Sequence, residues 1–284
     1  RVRHTRQDFY LICGCGETGG LIARSFDHIG QAFVVLEKDE LRVEELDLLD
    51  FKTDTPALAA DARLPDNLRL AGLCHAKCRG VLAVTDDDEA NLAIAIAVRL
   101  LNPDIPVIAR ARQKSVAANM ASFGTDHIIN PFQRFAEHLA LAVASPERFR
   151  LIELLTALPE SPLPEPHRPP RGHWIMCGFG RFGHAVARHL EPTGITLTII
   201  DPTAADADHS IPGDGTEART LRAAGIEPIR DRIDQHLRMQ GLRCKRTQVA
   251  HAVEKRLPAS SGLGTGEFQH MGAISQALIL RSVL

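Results

Sequence analysis

Short unbroken apolar runs alternate with amphipathic stretches along most of this chain, and that alternation sets the fold class. Phe9-Tyr10-Leu11-Ile12-Cys13 opens the series, a continuous apolar run of the kind that a strand buried on both faces requires. The pattern predicts a helix from Gly20 toward Gly30, a second strand over Phe33-Val34-Val35-Leu36, and a solvated helix or loop through the charged residues from Lys38 to Asp50. A helix is expected after Asp61, ending near Gly72, followed by a strand over Gly80-Val81-Leu82-Ala83-Val84. Ala90 to Leu101 reads as an apolar helix, Pro106-Val107-Ile108-Ala109 as a strand and Ser115 to Phe123 as a helix. His127-Ile128-Ile129 reads as a short strand closed by Asn130-Pro131, with helices expected from Phe132 to Ala144 and from Phe149 to Leu158. Strands alternating with helices imply an α/β fold with a doubly wound parallel sheet.

Six prolines fall in the twelve residues from Pro159 to Pro170. Such a stretch is neither a regular helix nor a central strand, so 159–171 is read as a linker between domains at 8–158 and 172–284. The second domain restarts with His173-Trp174-Ile175-Met176-Cys177 and gives Leu197-Thr198-Ile199-Ile200 as its second strand. Each domain opens with a GxGxxG turn between strand and helix: Gly14-Cys15-Gly16-Glu17-Thr18-Gly19, and 164 residues later Gly178-Phe179-Gly180-Arg181-Phe182-Gly183. An acidic residue, Glu37 or Asp201, follows the first glycine by 23 positions in both. Asp61 and Asp214 are each followed by leucine at +7 (Leu68, Leu221) and glycine at +11 (Gly72, Gly225). The chain thus carries two Rossmann-like units in tandem. Beyond Gly225 the duplication stops: the charged, helix-like stretch from Glu227 to Arg256 and the Ser/Gly-rich stretch that follows have no counterpart in the first unit. The second domain is therefore expected to be atypical or incomplete after about residue 226.

In a Rossmann turn the first glycine makes the bend, the second admits a pyrophosphate to the backbone, and the third lets helix and strand pack closely. Helix N-terminal amides and the dipole attract the anion. The acid at the end of strand two accepts from a ribose diol and repels a 2′-phosphate, so Glu37 and Asp201 favour NAD(H) or a simple adenine nucleotide (ADP, ATP or AMP) over NADP. Lys38 weakens that preference in the first unit. Candidate contacts there are the whole turn 14–19 with Glu37, Lys38, Asp61 and Ala62. Thr85, Asp86, Asp87 and Asn91 follow the Gly80–Val84 strand at the sheet's carboxyl edge, where ligands of open α/β sheets bind, and Arg110 ends the next strand. Thr85 or Asp86 capping the next helix is the plain reading of the acidic loop. Ribose contacts and a divalent cation held by clustered carboxylates are the functional ones. In the second unit the candidates are the turn 178–183, Asp201, Pro202, Gly213, Asp214 and Thr216. The turns differ in charge: Glu17 places a carboxylate where the second carries Arg181, and arginine binds phosphate bidentately.

Composition narrows the classes. With 33 basic and 35 acidic residues and a formal charge of −2, the chain lacks the electrostatic footprint of a nucleic-acid binder. Six cysteines at 13, 15, 74, 78, 177 and 244 form no disulfide framework and point to a reducing compartment. Cys74-His75-Ala76-Lys77-Cys78 has no second ligand pair at zinc spacing. No apolar run reaches the roughly 18 residues of a membrane span. The chain opens at Arg1 without methionine and stops inside an apolar series, so it reads as a fragment of a longer protein.

Taken together, GCGETGG, Glu37, Ala60-Asp61-Ala62, Ala71-Gly72-Leu73, Thr85-Asp86-Asp87-Asp88 with Asn91, and Gly124-Thr125-Asp126 before Asn130-Pro131 resemble the RCK (regulator of K+ conductance) or Trk-type NAD-binding (TrkA-N) family. GFGRFG, Asp201, Gly213-Asp214-Gly215-Thr216 and Ala224-Gly225-Ile226 carry the resemblance into the second copy. It implies a non-catalytic gating module at the cytoplasmic face of the membrane, attached to a potassium channel pore or a transporter subunit. Ligands at the Rossmann edges would alter packing between domains. It also implies homodimers, and rings of such units, formed through the helices at 132–158. The chain departs from the family pattern at Ala60, where glycine is usual, at Glu17, where arginine binds phosphate, and over 227–284. Two rival readings are an NAD-dependent oxidoreductase, for which no acid or base can be nominated, and a structural RCK-like domain without ligand.

Overall fold

The structure, a computed structural model, describes residues 7–49, 51–52, 56–159, 169–203 and 209–225. The continuation at 227–284 and most of the 159–171 linker lie outside the described residues. These residues divide between Pro169 and Pro170 into two compact units.

The first unit runs β1 (Phe9–Cys13), α1 (Glu17–His28), β2 (Ala32–Glu37), α2 (Glu40–Asp47), β3 (Ala57–Ala59), α3 (Pro65–Leu70), β4 (Cys78–Ala83), α4 (Asp88–Leu101), β5 (Val107–Arg110), α5 (Lys114–Ser122), β6 (His127–Ile129), α6 (Pro131–Ala144) and α7 (Pro146–Thr156). All six strands are parallel, in the order β3-β2-β1-β4-β5-β6. The order reverses between β1 and β4, and such a switch point opens a crevice at the carboxyl ends of the strands.

The apolar runs are continuous because both faces of the sheet are covered. Leu11, Cys13, Val34, Leu36, Val81 and Ala83 join one core with Leu68 of α3, Ile94 and Val98 of α4, and Val116 and Met120 of α5. Their alternate neighbours Ile12, Phe33, Val35, Leu82 and Val84 join a second core with Ile22, Ala23 and Phe26 of α1. Each fully buried Leu, Ile or Phe contributes about 1.5–3 kcal/mol.

The second unit is β7 (His173–Cys177), α8 (Arg181–Leu190), a 3-10 turn (Glu191–Thr193), β8 (Thr196–Ile200), β9 (Ser210–Ile211) and α9 (Ala218–Ala223). Its three parallel strands, ordered β7-β8-β9, repeat β1-β2-β3 with the register kept. Phe9 pairs with Ala32 as His173 pairs with Thr196, and Leu36 with Leu58 as Ile200 with Ile211. The offset of 164 residues through the turn and strand two falls to 153 from β3 onward, since 23 residues separate Glu37 from Asp61 but 12 separate Asp201 from Asp214. In the first unit that interval holds α2.

The sequence pattern does not announce β3 or β9. Ala57-Leu58-Ala59 has no periodicity of its own and becomes a strand by pairing with β2. The helix expected over most of 61–73 is shorter, because Pro65 sets its first turn and Gly72 ends the segment in the left-handed region at φ +99°. Gly225 repeats that turn at φ +87°.

Candidate functional site

The first glycine turn is fixed by backbone demands. Gly14 has φ +95° and donates its N–H to Leu36 O at 2.8 Å. A Cβ on Gly19 would stand 1.9 Å from Gly14 O, so any other residue there would force α1 off the strand. Gly16 caps α1 and brings no side chain of its own to the first-turn amides, whereas the side chains of Asp39, Asp87 and Asn130 cap α2, α4 and α6. Thr18 is buried and Glu17 exposed. Burial first, then the Glu37 carboxylate, pushes the Cys15 thiol up to about 11.

Glu37, 6% exposed, is part of this turn. Its Oε2 accepts from Cys15 N at 2.6 Å and its Oε1 from Asp39 N at 3.1 Å. A carboxylate offers about four acceptor sites, so the same group keeps capacity for a ribose diol. Lys38 is exposed. Asp61 is clamped by Arg63, whose Nη2 lies 2.6 Å from Oδ2, and this side chain holds its carboxyl below the usual range. Ala62 is buried in the core.

At the carboxyl ends of β4 and β5 the predicted residues come together, in roles that differ among themselves. Asn91 is 0% exposed. Its Oδ1 accepts from Thr85 N (2.9 Å) and Thr85 Oγ1 (2.7 Å), and its Nδ2 donates to Thr85 O and Arg110 O (both 3.0 Å). All four bonding positions of the amide are spent inside the protein, so Asn91 ties two strand ends together instead of facing the edge. The helix cap is Asp87, whose Oδ1 accepts from Glu89 N at 3.0 Å, and neither Thr85 nor Asp86 fills that position. Asp88 turns inward, its Oδ2 accepting from Arg112 N and Gln113 N at 2.8 Å, and Arg112 completes the clasp through Asp88 Oδ1 and Asp86 O. The acidic run therefore does not converge as expected for a divalent cation. Among the described residues no three His, Cys, Asp or Glu side chains group to hold a metal.

Arg110 ends β5 half-buried, with Nη1 3.4 Å from Thr85 O and a buried Nε that has no hydrogen-bond partner among the described residues. Burial and then the Arg112 charge lower its pKa, while Asp88, Asp86 and Glu17 act the other way. Glu17 is thus within electrostatic range of a cation that sequence spacing did not bring near it.

The second turn repeats the backbone of the first. Gly178 has φ +97° and donates to Ile200 O at 2.8 Å. A Cβ on Gly183 would stand 2.3 Å from Gly178 O, and Gly180 caps α8 without a side-chain bond. Asp201 Oδ2 accepts from Phe179 N at 2.6 Å, and Oδ1 accepts from Thr203 N and Oγ1. These bonds, the Thr203 hydroxyl first, lower the pKa of Asp201. Arg181, Phe182 and Pro202 are exposed, and Phe179 stacks on His184 with ring centroids 3.8 Å apart. Asp214 accepts from Thr216 N and Oγ1, both at 2.8 Å. Gly213, at φ +155°, packs against Thr220.

Three residues the sequence did not single out as contacts shape these sites. Asp88 and Arg112 lock the β5 end. Arg42 of α2 brings Nη1 to 3.2 Å from the point where a Cβ on Gly16 would stand.

Comparison with known proteins agrees with this geometry. The chain is 28% identical over 151 residues to Potassium channel protein 1 of Methanocaldococcus jannaschii, a match covering 53% of this chain and 44% of that protein. Among solved structures it is similar in fold to the GsuK channel bound to NAD (TM-score 0.59, 16% identity) and to GsuK bound to ADP (TM-score 0.54, 21% identity), covering 79% of this chain and 52% of that chain in both. The chain therefore spans about half the length of these relatives. Residues 10–131 and 174–230, more than half of the chain, match the TrkA-N domain, with one segment over each glycine turn; the chain belongs to the TrkA-N domain family.

Proposed function

We propose that this chain is a non-catalytic nucleotide sensor that regulates a potassium channel or transporter at the cytoplasmic face of the membrane. The observation that carries the reading is the first glycine turn with its edge. Gly16, the N-cap of α1, brings no side chain of its own to the helix end, Glu37 is buried beneath the turn, and the Arg110 Nε is buried without a partner among the described residues. An adenine nucleotide, NAD(H) or ADP, ATP or AMP, fits that donor set. Its phosphates would lie against Gly14–Gly19 and Arg110, and its ribose against Glu37. Thr85, Asp86, Asp87 and Lys38 would line the approach, with Asp61 and Ala62 closing it beyond β3. In the second unit Gly178–Gly183 with Asp201 and Pro202, and Gly213, Asp214 and Thr216 beyond, form the corresponding set, where Arg181 supplies the cation.

Sensing requires that nucleotide bind two conformations with different affinity. The element suited to report such a change is α6–α7, which directly follows β6. Leu151, Leu154 and Leu155 of α7 are exposed at i, i+3 and i+4 spacing, one apolar face of the helix. A second copy of this chain, as dimer or ring, is the occupant that face supports. No described helix is long and apolar enough to cross a membrane, so a pore or transporter partner would lie outside the described residues.

Isothermal titration of NAD, NADH, ADP and ATP into the purified chain tests the reading. At least one is expected to bind, and Gly16→Val, which puts bulk where a pyrophosphate would lie, is expected to weaken binding at the first site at least about tenfold. Absence of binding by all four would remove the sensor.

A further inference from the structure

The two turns carry opposite charges at the position three residues after the first glycine, Glu17 and Arg181, and the position five residues beyond the strand-end acid reverses them. There the first unit has Arg42 and the second has Asp206. Counted along the sequence the two charges are transposed, although the second unit lacks the α2 interval and Asp206 lies outside the described residues. In the first unit the structure brings the Arg42 guanidinium onto the turn, 3.2 Å from a Cβ built on Gly16, and apart from the chain neighbours no other described residue comes within 4 Å of that point. Its charge reaches the Cys15 thiol, along with that of Arg24. Among the described residues the ion pair of Arg42 is with Asp39 on its own helix end, at 3.7 Å, and both side chains are about half exposed.

We infer that Arg42 is the residue that contacts the diphosphate of a nucleotide at the first turn, taking the part that an arginine within the turn takes in the second unit. The inference rests on the nucleotide reading of that turn. Gly16 is where a Rossmann turn admits pyrophosphate, and a guanidinium there binds phosphate through charge-assisted, bidentate hydrogen bonds. Placing the cation on α2 leaves position 17 to an acid, which Arg110 offsets from the β5 side. The ligand class that follows is a nucleoside diphosphate or dinucleotide: a nucleoside without phosphate gains nothing from Arg42.

The test is isothermal titration of ADP and of adenosine into the whole chain carrying Gly180→Trp, so that the second turn is filled and the heat reports the first. A Cβ on Gly180 meets nothing within 4 Å. Arg42→Ala is expected to weaken ADP about tenfold and to leave adenosine within about twofold. Adding Glu17→Arg, which puts a cation where the second turn has one, is expected to restore ADP to within about threefold of the parent. Unchanged ADP affinity in Arg42→Ala would overturn the role of Arg42 while nucleotide binding stands. Equal losses of ADP and adenosine, or no recovery with Glu17→Arg, would also overturn it, because they mark a structural effect of α2. If the Gly180→Trp parent itself binds no ADP, the nucleotide reading of the first turn fails and the inference falls with it.

Discussion

The two glycine turns share the torsion of their first glycine and the hydrogen bonds that tie them to strand two, and differ in what surrounds them. Gly14 and Gly178 take φ +95° and +97°, both bond to the end of strand two at 2.8 Å, and in both an acid holds the next amide at 2.6 Å. Around the first, β1 lies between β2 and β4 with cores on both faces. Around the second, β7 pairs with β8 alone among the described residues, and its residues are at best half-buried. A Rossmann turn is therefore a local construction, set by three glycines, one acid and one strand pair. What the rest of the sheet adds is rigidity, a second strand end that carries Arg110, and a deeper site for the acid.

The comparison is tested hardest at the third glycine. Gly19→Ala drives a methyl group to 1.9 Å from Gly14 O, between elements locked by two cores, and Gly183→Ala to 2.3 Å from Gly178 O. We expect a loss above about 3 kcal/mol for the first, and about half as much for the second, where fewer described elements surround the turn. Urea unfolding separates the two units, because Trp174, the single tryptophan, lies in β7 and reports the second, while far-UV circular dichroism weights the first, the more helical among the described residues. A larger loss for Gly183→Ala would break the comparison.

Cys13 and Cys177 occupy the same place in the repeat, 164 residues apart, yet one is buried and one exposed. Burial pushes the Cys13 thiol up to about 12, and only the thiolate alkylates. Peptide mapping after iodoacetamide treatment of the folded chain at pH 8 should find Cys177 modified at least about a hundredfold faster than Cys13. Similar rates would mean that the first sheet opens as readily as the second.

The smallest effect is expected at Asp201. Its lowered pKa means that the bonds to Phe179 and Thr203 stabilise the folded second unit above the ordinary aspartate value of 3.8. That contribution is lost as pH falls through the folded pKa. Asp201→Asn should lower the Trp174 unfolding midpoint at pH 7 and leave it close to the parent's at pH 2. A difference that persists in acid would assign the effect to shape and not to charge.

How much of this is readable from sequence follows from how far each interaction reaches. The glycine turns, the strands that carry both cores and Glu37 with Asp201 are fixed by local geometry and period, and the structure finds them at the expected residues. The short strands β3 and β9 exist only by pairing, so Ala57-Leu58-Ala59 gives no signal by itself. At the carboxyl edge the sequence names residues that the structure brings together, without their directions. Asn91 looks available as a contact, but the fold spends its amide on Thr85 and Arg110. Asp87, Asp88 and Asp86 look like a cluster until helix geometry sends one to the cap, one to the interior and one to solvent. Arg42 went unnoticed because its approach to Gly16 depends on α2 starting at Glu40, immediately after the strand-end acid.

The most direct test of a sensor whose working site is the first turn is hydrogen–deuterium exchange of the whole chain with and without saturating ADP. Slower amide exchange is expected at 14–19 together with altered exchange across α6 and α7, at 131–156. Protection at 178–183 with none at 14–19, or protection at the first turn that leaves α6 and α7 unchanged, would contradict it.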